Sequence, residues 1–275
     1  MRIIALSNFS LMSNFTTNST DTRSNSWTTH IELARMAYER GLYLAASRHY
    51  IRGLTAAESL GMKDEDLVEA HLGMAKCFCE LGRFSEAEEL YKHVLKIDQT
   101  ALQSKCLSLA VDYNDLAKLY LKTDQFAQAE ELLNKSLAIT AGLTGNNKEL
   151  VAEAEKDLAH LYYKRDLLPE ATQHIERAYT ICDTTNKLRD TKLFSEVLLI
   201  MGLLEAKKGL FNDAEEHIEK AITNFEFITG GQHPELADFL DIAADLFQLE
   251  NLPDKAMELK ERASSIRKRI RKLDR

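Results

Sequence analysis

The sequence predicts an all-α protein, an α-solenoid of about six helical hairpins. Three observations carry this. Apolar residues recur at spacings of three and four, which places them on one face of a helix. A small residue returns at a nearly constant interval along the chain. All three prolines fall at expected helix starts, where the missing N–H costs nothing.

The reference hairpin is YNDLAKLYLKTDQFAQAEELLNKSL, Tyr113 to Leu137. Tyr113, Leu116, Ala117, Tyr120 and Leu121 share one helical face, and Phe126, Ala129, Leu132, Leu133 and Leu137 share another. Lys122-Thr123-Asp124-Gln125 forms the turn. With Ala129 as anchor, the frame recurs at Ala46, Ala87, Ala171, Ala214 and Ala256, at intervals of 41 to 43 residues. Twelve residues before each anchor stands Ala34, Ala75, Ala117, Ala159, Gly202 or Ala244. Three before it stands Tyr43, Phe84, Phe126, Leu168, Phe211 or Pro253. A fixed period of this length marks a stack of hairpins that bury one another's apolar faces.

Taken in order, residues 1–26 are rich in Ser, Thr and Asn and are expected to be a disordered polar tail. Its apolar start is too short for a secretory signal, so the sequons at Asn8, Asn14 and Asn18 carry no weight. The lack of acids before Asp21 leaves a transit peptide as an alternative, and Met12 is an alternative start. Repeats are expected at about 27–61, 66–98, 101–142, 148–186, 189–229 and 234–265. Gly41 and Tyr43 make the first turn, and Gly61 closes the second helix. Gly142, Gly145 and Gly230-Gly231 interrupt later helices, and Pro169, Pro234 and Pro253 open others. Residues 266–275 extend the last helix as a basic tip, with Lys260 at a position that is apolar in earlier repeats, as suits a terminal repeat.

The order small, aromatic, glycine, aromatic, alanine, apolar resembles the tetratricopeptide repeat. MAKCFCELGRFSEAEELYKHVL, with Gly82 and Phe84 in the turn, carries the resemblance most closely. The period near 42 and GGQHPELADFLDIAADLF from Gly230 resemble the longer repeats of kinesin light chains. The resemblance spans 27–265 and implies a right-handed α-solenoid whose first helices line a concave groove for peptides or partner helices. Only Asn114 matches the asparagines with which kinesin light chains hold cargo. Ile31, Leu72, Lys156, Leu199 and Asp241 stand at the other positions. Ile31 and Arg35 also replace the Lys and Asn of a cochaperone clamp, so neither a motor nor a cochaperone role is expected.

On that frame Arg35, Lys76, Lys118 and His160 follow the small residues of repeats one to four and face inward, with Asn114, Lys122, Lys156, Tyr163 and Lys164 around them. An acidic partner segment fits such a strip. The alternative is a set of ordinary solvated cations balanced by nearby Glu. Leu199, Leu203 and Ala206 form a less polar patch, read first as packing and second as a recognition surface.

The net charge is −8, yet residues 251–275 hold nine Lys and Arg against four Asp and Glu. Cys77, Cys79, Cys106 and Cys182 lack metal or redox spacing. Two residues apart, Cys77 and Cys79 diverge by about 200° on a helix. They read as reduced thiols, and a cytoplasmic protein is expected. The eight histidines read as core or boundary residues, since His30 and His71 at equivalent positions would lie about 10 Å apart. No phosphate loop, nucleophile elbow or HExxH occurs, so no enzyme, cofactor or metal is expected. The expected function is a non-catalytic scaffold or adaptor that binds a protein or peptide. One alternative is a regulatory receptor for a short peptide or small ligand, although such receptors usually carry an output module not seen in this sequence. A weaker one is nucleic acid or acidic lipid at Arg267 to Arg275, where no aromatic interleaves the cations.

Overall fold

The computed structural model describes residues 20–100, 106–143, 147–249 and 253–273. Among them there are helices and turns and no strand. Six hairpins follow one another: α1 (Thr20–Glu39) with α2 (Tyr43–Ser59), α3 (Val68–Glu80) with α4 (Phe84–Thr100), and α5 (Cys106–Lys122) with α6 (Phe126–Ala141). Then come α7 (Lys148–Lys164) with α8 (Leu168–Thr184), a short α9 (Asn186–Arg189), α10 (Lys192–Lys207) with α11 (Phe211–Thr229), and α12 (Pro234–Leu249) with α13 (Pro253–Leu273). The stack is a right-handed solenoid. Most helices run to about 17 residues, and a 3₁₀ turn at Asp64–Asp66 and the short α9 lengthen two linkers, which accounts for the long period.

The periodic frame is the register of the fold. Each second helix begins at the residue three before its anchor: Tyr43, Phe84, Phe126, Leu168, Phe211 and Pro253. The anchors Ala46, Ala87, Ala129, Ala171 and Ala214 are wholly buried, as are Ala34, Ala75, Ala117, Ala159 and Ala244 on the first helices. A side chain larger than methyl at these points would hold the two helices apart. Repeat five tightens further. At Gly202, a Cβ would stand 2.6 Å from Ile218 Cγ1 and 3.0 Å from the Ala214 carbonyl oxygen.

Five turns share one hydrogen-bond motif. Leu42, Arg83, Gln125, Leu167 and Leu210 donate their backbone N–H to the carbonyls of Ala37, Phe78, Tyr120, Tyr162 and Glu205, at 2.8–2.9 Å. This closes the first helix in a Schellman turn, which needs a left-handed residue just before the donor. Gly41, Gly82, Asp124, Asp166 and Gly209 supply it, with φ between 56° and 78°. Aspartate serves twice because its short polar side chain tolerates that region.

One boundary differs from expectation. α1 begins at Thr20, so residues 20–26 are helical, while 1–19, with the sequons and both candidate start methionines, lie outside the described residues. Gly142 ends α6 with φ −83°, whereas Gly230 ends α11 in the left-handed region. Gly145 also lies outside the described residues.

The two ends of the coil meet. The Tyr43 hydroxyl donates to Glu235 Oε1 at 3.1 Å across 192 residues, and the Tyr43 ring packs edge-on to His233 with centroids 6.5 Å apart. Burial records the same contact. Tyr43 is 8% exposed, whereas Phe211 at the equivalent position is 40% exposed. Gly41 is buried, whereas its counterparts Gly82 and Gly209 are exposed.

Candidate functional site

The first helices α3, α5, α7 and α10 carry the inner residues, and their charges pair from one repeat to the next. Arg35 on α1 pairs with Glu69 on α3, both well exposed. Lys76 Nζ lies 2.8 Å from Asp115 Oδ2 on α5. Lys118 pairs with Glu153 on α7 and lies 3.7 Å from Asp115 Oδ1. Lys156 donates to Glu196 Oε2 on α10 at 2.6 Å and lies 2.8 Å from Asp157 Oδ1. Lys192 lies 3.9 Å from Glu196 Oε1 and pairs with Glu235 on α12. Glu235 is also the acceptor for Tyr43, so the row runs from the second repeat round to the first. Lys122 donates to Glu80 Oε1 at 2.6 Å.

The enclosed wall shifts these groups. Burial alone would lower the Lys118 ammonium, but Glu153 and Asp115 more than offset it and hold its pKa above the usual lysine value. Lys156 behaves likewise, held up by Asp157 and Glu196. Burial would raise Glu196, but Lys156 and Lys192 outweigh it and pull the carboxyl down to about 2. His160 is pushed down to about 4 by burial, with Lys156 and Lys164 adding to the effect. Lys118, Lys156 and Glu196 are thus held in their charged forms by oppositely charged neighbours, whereas burial favours the neutral form of His160.

The expected strip thus has a different character. Arg35, Lys76, Lys118, Lys122 and Lys156 are all paired, and Lys156 is almost buried. Lys164 is exposed and forms no ion pair with a described residue. Tyr163 lies under the Lys207 ammonium, 4.5 Å from its ring centroid, and Lys207 also reaches Asp166 at 2.6 Å. Asn114 does not face the groove. It is 1% exposed, and its Nδ2 donates to the Leu150 carbonyl at 3.3 Å, tying repeat three to repeat four. Leu199 is buried, and Ala206 packs on the same core, so two of the three patch residues serve packing, while Leu203 is half-buried.

The sequence offered balance by nearby Glu as the alternative reading of these cations, without naming the partners. Asp115, Glu153, Glu196 and Glu235 each answer a cation about one repeat upstream, a signal that the period makes readable. The histidines were also placed apart, whereas two pairs meet within hairpins. His30 and His49 approach at 3.2 Å between Nδ1 atoms, and His71 and His93 stack edge-on at 5.3 Å. Equivalent positions in successive repeats are far apart, but helices of one hairpin are not. Among the described residues no group of three or more His, Cys, Asp or Glu is placed to hold a metal ion. Cys77, Cys79 and Cys182 are buried and form no disulfide among the described residues. None of the described helices is long and apolar enough to cross a membrane.

The basic tip is partly neutralised. Arg267 donates to Asp241 Oδ2 and Asp238 Oδ1, each at 2.6 Å, and Lys260 lies 3.0 Å from Asp245. Ile266 is buried against the core, whereas Leu273 is 61% exposed.

Several solved structures share this fold. BtubC (BKLC) from P. vanneervenii is 20% identical, with 93% of each chain covered and a TM-score of 0.56. A putative kinesin light chain with nearly identical TPR-like repeats from Podosopora anserina is 21% identical over 77% of this chain and 99% of its own, with a TM-score of 0.52. The Rap conjugation gene regulator of plasmid pLS20, in complex with the Phr* peptide, is 11% identical over 98% of this chain and 81% of its own, with a TM-score of 0.70. A search of the curated proteins returns no match. The tetratricopeptide repeat profile matches residues 26–100 and 107–184, more than half of the chain, and with six hairpins in one register the chain belongs to the tetratricopeptide repeat family.

Proposed function

We propose that the chain is a non-catalytic interaction scaffold or adaptor that holds a peptide or partner segment against its concave face. The observation that carries this is the row Lys76, Lys118, Lys156 and Lys192, one ammonium per first helix, each already paired with a carboxylate. A segment bearing carboxylates at comparable spacing substitutes for the protein's own acids, so an acidic partner fits best. Arg35, Lys122, His160, Tyr163 and Lys164 extend the contact surface, and Asn114 supports it from behind. The buried thiols suit a reducing, cytoplasmic setting.

A second reading is a regulatory receptor for a short peptide, favoured by the likeness to the peptide-bound Rap regulator over nearly the whole chain. The basic tip is the weakest candidate for nucleic acid or lipid, because no aromatic interleaves its cations.

The test is binding of the full chain to acidic, apolar and basic peptides, beside a Lys76→Gln/Lys164→Gln variant checked by circular dichroism. Acidic hits that weaken in the folded variant support the scaffold reading. Acidic hits unchanged in the variant, or preference for basic peptides, reject the strip as the contact surface.

A further inference from the structure

The contact between the first and last hairpins is built from specific parts. Glu235 sits at its centre with both oxygens engaged: Oε1 accepts from Tyr43 and Oε2 meets Lys192. Lys192 belongs to the inner row through Glu196 and Lys156. The joint between the ends and the charged wall are thus one chain of ion pairs and hydrogen bonds. Around it, His233 lies between the rings of Tyr43 and Phe225, at centroid distances of 6.5 and 5.9 Å. Gly41 is pressed so closely that a Cβ there would overlap Pro234 Cδ and Cγ. At Gly82, in the same turn with nearly the same φ, a Cβ would meet nothing within 4 Å. Repeats three and four place aspartate at this position, so the turn itself does not demand glycine.

We propose that the Tyr43–Glu235 contact is a self-closing joint that holds the concave channel shut, and that an acidic segment enters when the joint opens. A carboxylate arriving at Lys192 competes with Glu235, and losing that partner weakens the anchor for Tyr43. The joint is small, a single hydrogen bond with its ring contacts, and the ends belong to hairpins that are otherwise complete. Parting them breaks that hydrogen bond and uncovers the Tyr43 ring and the Gly41–Pro234 contact, a cost confined to one seam. The access step rests on the acidic-segment reading of the concave face; the joint itself does not.

The test compares Gly41→Ala with Gly82→Ala in the full chain. Both carry the same left-handed strain, but only the first meets Pro234. Glu235→Ala, which removes the acceptor instead of adding bulk, guards against misfolding of Gly41→Ala. Small-angle scattering should give a larger radius of gyration for Gly41→Ala and Glu235→Ala and an unchanged one for Gly82→Ala. Hexa-glutamate should bind the opened variants at least about tenfold more tightly, the gain expected when a state about one-tenth populated becomes dominant. Equal radii in all four proteins overturn the joint. Larger radii with unchanged or weaker hexa-glutamate binding overturn its shutting role. Larger radii with no binding to any form uphold the joint and overturn the acidic-segment reading.

Discussion

Lys156 on α7 and Glu196 on α10 join two repeats at 2.6 Å across the inner wall, with the lysine side chain only 9% exposed. Asp157 completes the group at 2.8 Å. Removing one member of such a group strands the others. Lys156→Met should destabilise the protein by roughly 3–5 kcal/mol, and adding Glu196→Leu should recover part of the loss. Urea unfolding of the single and double variants decides it. A single variant as stable as the parent would mean that water solvates these carboxylates.

His71 is buried on α3 with His93 edge-on beside it, and burial followed by that neighbour pushes its pKa down to about 4. In the unfolded chain it returns to about 6.5. Between those values the unfolded chain binds a proton that the folded chain refuses, so stability falls as pH drops through this window. From pH 7 to pH 5 the loss from this residue is about 2 kcal/mol. His71→Gln should flatten that part of the pH profile, measured by denaturant midpoints at both pH values.

Asp112 moves the other way. Burial and then Asp98 raise its carboxyl to about 7. The folded chain binds the extra proton, so this contribution is complete below the unfolded value near 4 and is lost as pH rises through about 7. Asp112→Asn keeps the shape of the protonated acid. It should be more stable than the parent at pH 8 by roughly 2–4 kcal/mol and similar to it at pH 4. Thermal melts at the two pH values test this, and an equal gain at both would assign it to something other than titration.

Ala129 and Gly202 sit at buried helix contacts in repeats three and five. Ala129→Phe forces α5 and α6 apart, and Gly202→Ala drives a methyl toward Ile218 and the Ala214 carbonyl. Each should cost roughly 1–3 kcal/mol by overpacking. Gly202→Ala is the sharper case, since alanine is the better helix former and an exposed site would gain stability from it. Denaturant titration gives the sign.

The register was legible because it depends on one residue per contact. Ala46 through Ala256 and the six helix starts from Tyr43 to Pro253 follow from size and period alone. The lysines of the first helices were legible as a recurring row for the same reason. Their partners were not, because a carboxylate one repeat away reads as another surface acid until the helices are placed side by side. Asn114 was misplaced by the same limit: the reading assigned it to the inner face with its neighbours, but not to the seam against Leu150, which the helix-to-helix rotation decides. Nothing in the period could announce that Tyr43 meets Glu235, because closure depends on the rotation per repeat summed over the whole stack.

That closure changes how the chain should respond to damage. In an open array each repeat answers only to its neighbours, and the ends fray first. Here the first and last hairpins share Glu235, so neither is a free end. A lesion in the sixth hairpin is felt in the first, which lies far away in sequence and adjacent in space. Such a contact forms late, after the intervening repeats have fixed its geometry, because its loop is the longest in the molecule. The array therefore folds as a line and is maintained as a ring.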